Sequence, residues 1–332
     1  MSAPAAKNGK RKLDAAENEE NKQLVKHTAS AVTQAQPQTM SKLSPSLKAL
    51  INAPFARPGQ APAPRHIRDV YTRIAHEARE RKYGDRPWVT LSAAATITLN
   101  SPASLLALHS LLTPPLTPTL TPLPAAELLR EVGLKCISFN GIPRTINTLG
   151  AFRAGIAHHP WARDLRTTPT RAITTPEELA GVGERGKRLW ESVYTPFEGK
   201  LVQRLGDSHP DLPVHILGSH YGPLLADPGA GGPVGRCLTS VVAVACLRAQ
   251  TGVGPQVLSH VFGLRKGVEQ GAHWGELGGW EGEAEGVERL AGDEGCEWLL
   301  RSVDAIAEAV GAGYARWDGE GGGEGEGEKA KL

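Results

Sequence analysis

From Ile67 onward, apolar residues recur every three to four positions in segment after segment, the spacing of helices that pack by one face. "IRDVYTRIAHEARERK" places Val70, Ile74 and Ala78 on one stripe. "WVTLSAAATITLN" and "SPASLLALHSLL" follow, the second with Ser101 as N-cap and Pro102 at its first helical position. "AAELLREVGLKCISFNG" reads as a helix closed by Gly141, and Pro143 opens the next, which ends near His158 and His159, placed to cap its carbonyl end. The second half repeats the theme and finishes on "CEWLLRSVDAIAEAVG". Alternating strand patterns are sparse, so the fold class is expected to be all-α.

Between these helices lie stretches of other kinds. The Thr/Pro/Leu run 113–124 predicts a surface connector, since Pro breaks helix interiors and central strands. Residues 268–292, rich in Gly, Glu and Trp, read as a long insertion. Residues 1–66 lack periodic apolar positions and are expected to be mostly disordered. They hold a basic cluster, "GKRKLD", of the nuclear-import kind, and from Met40 a basic, acid-free, faintly amphipathic stretch like a mitochondrial presequence.

Composition adds limits. With 332 residues, 40% of them hydrophobic and a net charge of +2, the chain can bury a sizeable core, and no nucleic-acid partner is expected. Charge is segregated: Lys and Arg exceed acids up to Arg68, whereas acids exceed them about threefold beyond Lys266. No apolar run reaches the roughly 18 residues of a membrane span. Cys136, Cys237, Cys246 and Cys296 form no C-x-x-C pair and no metal-ligand spacing, so buried free thiols are expected and no metal or cofactor is called for.

Two segments resemble each other. Leu91–His109 and Leu238–His260 each comprise an Ala/Val-rich helix, a short break with a Pro, and a second helix bearing one His. "RCLTSVVAVACLRAQTGVGPQVLSHVFGLRKG" is similar to the core helix pair of carboxymuconolactone decarboxylase and alkylhydroperoxidase D-like domains, and "LLREVGLKCISFNGIPRTINTLGAF" resembles the segment closing such a domain. The resemblance implies two degenerate domains, 67–160 and 184–312, joined by a linker at 161–183 and packed as an internal pseudo-dimer, with a further homodimer as an option.

It also implies where chemistry would sit. Redox members carry a dithiol near the helix His; the positions seven and four before His109 are Pro102 and Leu105, and before His260 they are Val253 and Gln256, so dithiol peroxidase chemistry is not expected. The non-redox branch moves protons on lactone acids, which makes His260 and His109 catalytic candidates, each with a packed core His as the alternative. Arg236, opening its helix in "GRCLTS", is either a solvated helix end or an anion contact for a small acid or acyl ligand, and the resemblance implies the latter. Asn140, Arg144 and Asn147 cluster at a helix elbow where a cation and exposed amides can hold an anion; alternatively Gly141 and Pro143 simply turn the corner. A non-catalytic, partner-binding helical protein and a single-thiol peroxide-handling protein are the alternative functions.

The C-terminal Ala330-Lys331-Leu332 resembles the Ser-Lys-Leu peroxisomal address. It follows a Gly/Glu stretch, within a tail 313–332 expected to be flexible, that would hold it within reach of an import receptor. Peroxisomal import is the expectation, with mitochondrial or cytoplasmic location as the alternatives.

Overall fold

The computed structural model describes residues 43–229, 232–277, 279–280 and 282–311, and every regular element among them is helical. The chain divides into two units, residues 1–59 and 60–332. In the first, α1 (Pro45–Ile51) is started by Ser44, whose hydroxyl accepts the Leu47 N–H, with Pro45 just inside. The stretch 1–66, expected to be mostly disordered, thus contains a capped helix. "GKRKLD" and Ala330-Lys331-Leu332 lie outside the described residues.

In the second unit α2 (Ile67–Glu80), α3 (Asp85–Thr98), α4 (Pro102–Leu111), α5 (Pro122–Lys135), α6 (Ile137–Asn140) and α7 (Ile142–Ile156) come first. They are followed by α8 (Pro176–Tyr194), α9 (Glu198–Ser208), α10 (Asp211–His215), α11 (Arg236–Gln250), α12 (Gly254–Glu269), α13 (Ala272–Leu277), α14 (Glu283–Leu290) and α15 (Asp293–Val310). The amphipathic α2 buries Val70, Ile74 and Ala78, the predicted stripe. α3 and α11 carry small and branched apolar residues on every side and are buried almost throughout. They pack on each other, with α15 against both, and one hydrophobic cluster draws on both halves of the sequence. α10 runs into a π-helical stretch, Ile216–Leu225, that crosses α8 where Gly186 meets Gly222; a Cβ on either would strike the other's helix backbone.

The N-termini of the two central helices are satisfied alike. The buried Glu283 carboxylate accepts the N–H groups of Asp85 (2.9 Å) and Arg86 (3.1 Å) at the start of α3. The Glu276 carboxylate accepts those of Cys237 (2.7 Å) and Leu238 (3.1 Å) at the start of α11. Both acids answer the unsatisfied amides and positive dipole end of a buried helix. Gly84 and Gly235 make room, since a Cβ on either would collide with the capping glutamate. Residues expected to form an insertion therefore supply two short helices and both caps.

Other local expectations shift in the same way. The Thr/Pro/Leu run buries Thr117 and Leu120, and its last residues, from Pro122, already belong to α5 because Pro suits a first helical turn. Ser101 precedes α4 as expected, yet its hydroxyl donates to the Ala61 carbonyl and does not cap the helix. α8 starts inside the expected linker, at Pro176, with a capping box between Thr175 and Glu178. The His159 ring stacks on Trp161, centroids 5.1 Å apart, while its backbone N–H donates to the Ile156 carbonyl (3.1 Å) at the end of α7.

Candidate functional site

The candidate residues fall into three neighbourhoods. His109, on α4, is buried, and its Nε2 lies 3.1 Å from the Pro122 carbonyl at the start of α5. Phe152 and Trp161 flank the ring at 5.4 and 5.3 Å. Burial pulls the imidazole below its usual range, so it is held neutral and ties two helices.

Asn140, Arg144 and Asn147 gather at the C-terminal end of α3. Asn140 donates to the Thr98 hydroxyl (3.0 Å) and accepts from Gln250 (3.2 Å), bridging α6 to α3 and α11. The Arg144 guanidinium donates to the Thr98 carbonyl, and Asn147 donates to the Asn100 side chain (3.3 Å). These donors meet the orphan carbonyl end of a buried helix, where cations and amides are favoured.

His260 and Arg236 form the third group. Arg236, first residue of α11, donates to the Ser192 hydroxyl (2.7 Å) and carbonyl (3.2 Å), the Ser240 hydroxyl (2.7 Å) and the Gly263 carbonyl (2.7 Å). It thereby laces α8, α11 and α12 together. His260, on α12, is 7% exposed, and its Nδ1 is buried without a hydrogen-bond partner among the described residues. Phe139 meets the ring edge-on at 5.9 Å and Tyr194 at 6.2 Å. Behind Tyr194 stand Tyr221, with the two hydroxyls 2.9 Å apart, and Trp190. Burial first, then the Arg236 charge, push the His260 imidazole down to about 4, so it is neutral near pH 7. The phenols of Tyr194 and Tyr221 are pushed up by burial and stay protonated. The group thus offers one cation, two neutral hydroxyls and an unpaired imidazole nitrogen in an aromatic setting.

The fold also assembles two features that the periodicity hides. Cys136, after α5, and Cys246, on α11, are fully buried with their sulfurs 3.5 Å apart, and burial raises the Cys136 thiol. Asn140 lies 3.8 Å from the Cys246 sulfur, and among the described residues neither thiol bonds a His. Lys135 is fully buried at the end of α5, where it donates to the Leu225 carbonyl (2.7 Å) and the Thr239 hydroxyl (2.8 Å). Burial pushes its amine down to about 8. Among the described residues no His, Cys, Asp and Glu cluster is arranged to hold a metal ion, and no helix is long and apolar enough to cross a membrane.

No family model matches the chain, and no solved structure matches it. Among curated proteins, Peroxisomal protein 2 of Saccharomyces cerevisiae is similar: 30% identical over 151 residues, covering 40% of this chain and 52% of that protein. The chain spans about half the length of the curated relative it matches.

Proposed function

We propose that the chain is a peroxisomal helical protein of the carboxymuconolactone decarboxylase-like kind, with two degenerate domains packed as a pseudo-dimer, that binds a small acid or acyl compound beside His260. The observation that carries the chemistry is the buried, unpartnered Nδ1 of His260 within the field of Arg236. An imidazole titrating near 4 is a weak proton carrier at neutral pH. A carboxylate brought beside it would favour the charged form and lift that value, so ligand binding itself would arm a general acid or base. Titrating the His260 ring by NMR, free and with a panel of small carboxylic acids, tests this: an upward move with one of them supports it, and a ring untouched by all of them sinks it.

The peroxisomal part draws support from the similarity to Peroxisomal protein 2. It is tested with a tagged protein carrying its native C-terminus, whose Ala330-Lys331-Leu332 is the proposed contact for the import receptor. Import should be lost on deleting Leu332 and kept on removing residues 1–39; a cytosolic or mitochondrial protein would refute it.

A second reading is a non-catalytic helical protein. It is favoured by the way His109, Arg236, Asn140 and Arg144 bond neighbouring helices and Asn147 the Asn100 side chain in the turn after α3.

A further inference from the structure

The outer side of α12 borders a cleft of about 360 Å³ between the end of α8 and α9. Its walls are nearly all apolar, built from Tyr194, Phe197 and Phe262 with Val193, Pro196 and Leu201. Phe197 and Phe262 remain 44% and 45% exposed. Among the described residues three cations, Lys200, Arg204 and Lys266, line the same cleft and no carboxylate does; Glu198, the acid nearest in sequence, lies outside the lining. Lys266 is fixed at the rim by donating to the carbonyls of Thr195 (2.6 Å) and Val193 (3.2 Å). Among the described residues none of the three cations has an ion-pair partner.

An apolar slot of this size is in the range of small-ligand sites, which take their specificity from a few placed polar groups. Among the described residues every charge at the rim is positive, and none of the three is neutralised by a carboxylate. We infer that the cleft binds an acyl-chain anion, its chain along Phe197 and Phe262 and its anionic head among Lys200, Arg204 and Lys266. The head can be a free carboxylate or the phosphates of a thioester carrier, which share this chemistry. The inference goes beyond the His260 reading and needs neither the His260 titration nor import, so each can fail without the other.

Calorimetry on the full chain with decanoate, decanoyl-coenzyme A, decanol and decyltrimethylammonium provides the test. The two anions should bind at least about tenfold more tightly than decanol, and the cation should not bind. Whichever anion binds more tightly identifies the source of the head group. The exposed-site double variant Lys200→Glu/Arg204→Glu should weaken both anions about tenfold at unchanged Tm, and Phe262→Asp should weaken all chains. Equal binding of alcohol and anion, or anion affinity unchanged in the double variant, would overturn the inference. So would a dimer in sedimentation that Phe262→Asp dissociates, because a second copy would then be the occupant.

Discussion

At the scale of single residues, His260 is the side chain with the largest consequence. Its imidazole titrates near 4 in the fold against about 6.5 in an unfolded chain, so between those values the unfolded state binds the extra proton. Stability is therefore complete above about pH 6.5 and declines as pH falls towards 4, by up to ~3 kcal/mol from this group. His109 and His220 are shifted the same way by burial, so the readout is the difference between proteins. His260→Phe keeps a ring of similar shape and removes an unpaired buried nitrogen. Its Tm at pH 7 should be unchanged or higher, and its decline between pH 6.5 and 4 shallower, by thermal denaturation across that range. An identical pH profile in the variant would mean that the ring reaches water and is not held neutral. Thiol chemistry follows from burial as well: Cys136, Cys237 and Cys246 are shielded, and burial pushes the Cys237 thiol up to about 12. Iodoacetamide should label these three slowly in the folded protein and fully once it is unfolded. Fast labelling of the native state would show that the Cys136 and Cys246 pair is accessible to oxidants after all.

At the scale of elements, the chain stabilises its two central helices from one short segment. Glu276→Ala or Glu283→Ala would leave two N–H groups without an acceptor at the head of a buried helix, a loss of about 1–3 kcal/mol each. Glutamine, which retains one acceptor oxygen, should lose less. Glu288→Ala, on the exposed side of α14, should stay within about 0.5 kcal/mol. Chemical denaturation of the five variants checks the order; equal losses for Glu283→Ala and Glu288→Ala would show that the cap carries no weight. This segment also marks where sequence reading stops. Val70, Ile74 and Ala78 were legible because a helix stripe is a local pattern, and α3 and α11 because helices apolar on all sides belong in a core. Glu283 was not legible. Its partners lie nearly two hundred residues away, at Asp85 and Arg86, and Gly/Glu-rich composition reads as solvated loop. Lys135 was hidden likewise, since a lysine in the last turn of a helix ordinarily faces water. The elbow residues were visible as a cluster. That they meet the carbonyl end of α3 depended on how α6 and α7 fold back, which no local spacing encodes.

At the scale of the molecule, the likeness of Leu91–His109 to Leu238–His260 raises the question of whether the two halves of the chain behave as two domains or one. Residues 60–332 form one compact unit, and the central cluster takes Leu91 and Val89 from α3 together with Leu238 and Val241 from α11. Each half also depends on the other's chemistry: the cap on α3 comes from α14, and the buried Lys135 of the first half is held by Thr239 of the second. Neither central helix has a complete set of partners without the opposite half, so loss of packing in one should be felt by both. Leu91→Ala and Leu238→Ala each remove a fully buried side chain, at an expected loss of about 2–5 kcal/mol. The full chain should unfold in a single calorimetric transition, and both substitutions should lower that same transition to a similar degree. Two resolved transitions, with Leu91→Ala moving one and Leu238→Ala the other, would mean that the halves are independent domains joined by a covalent link alone.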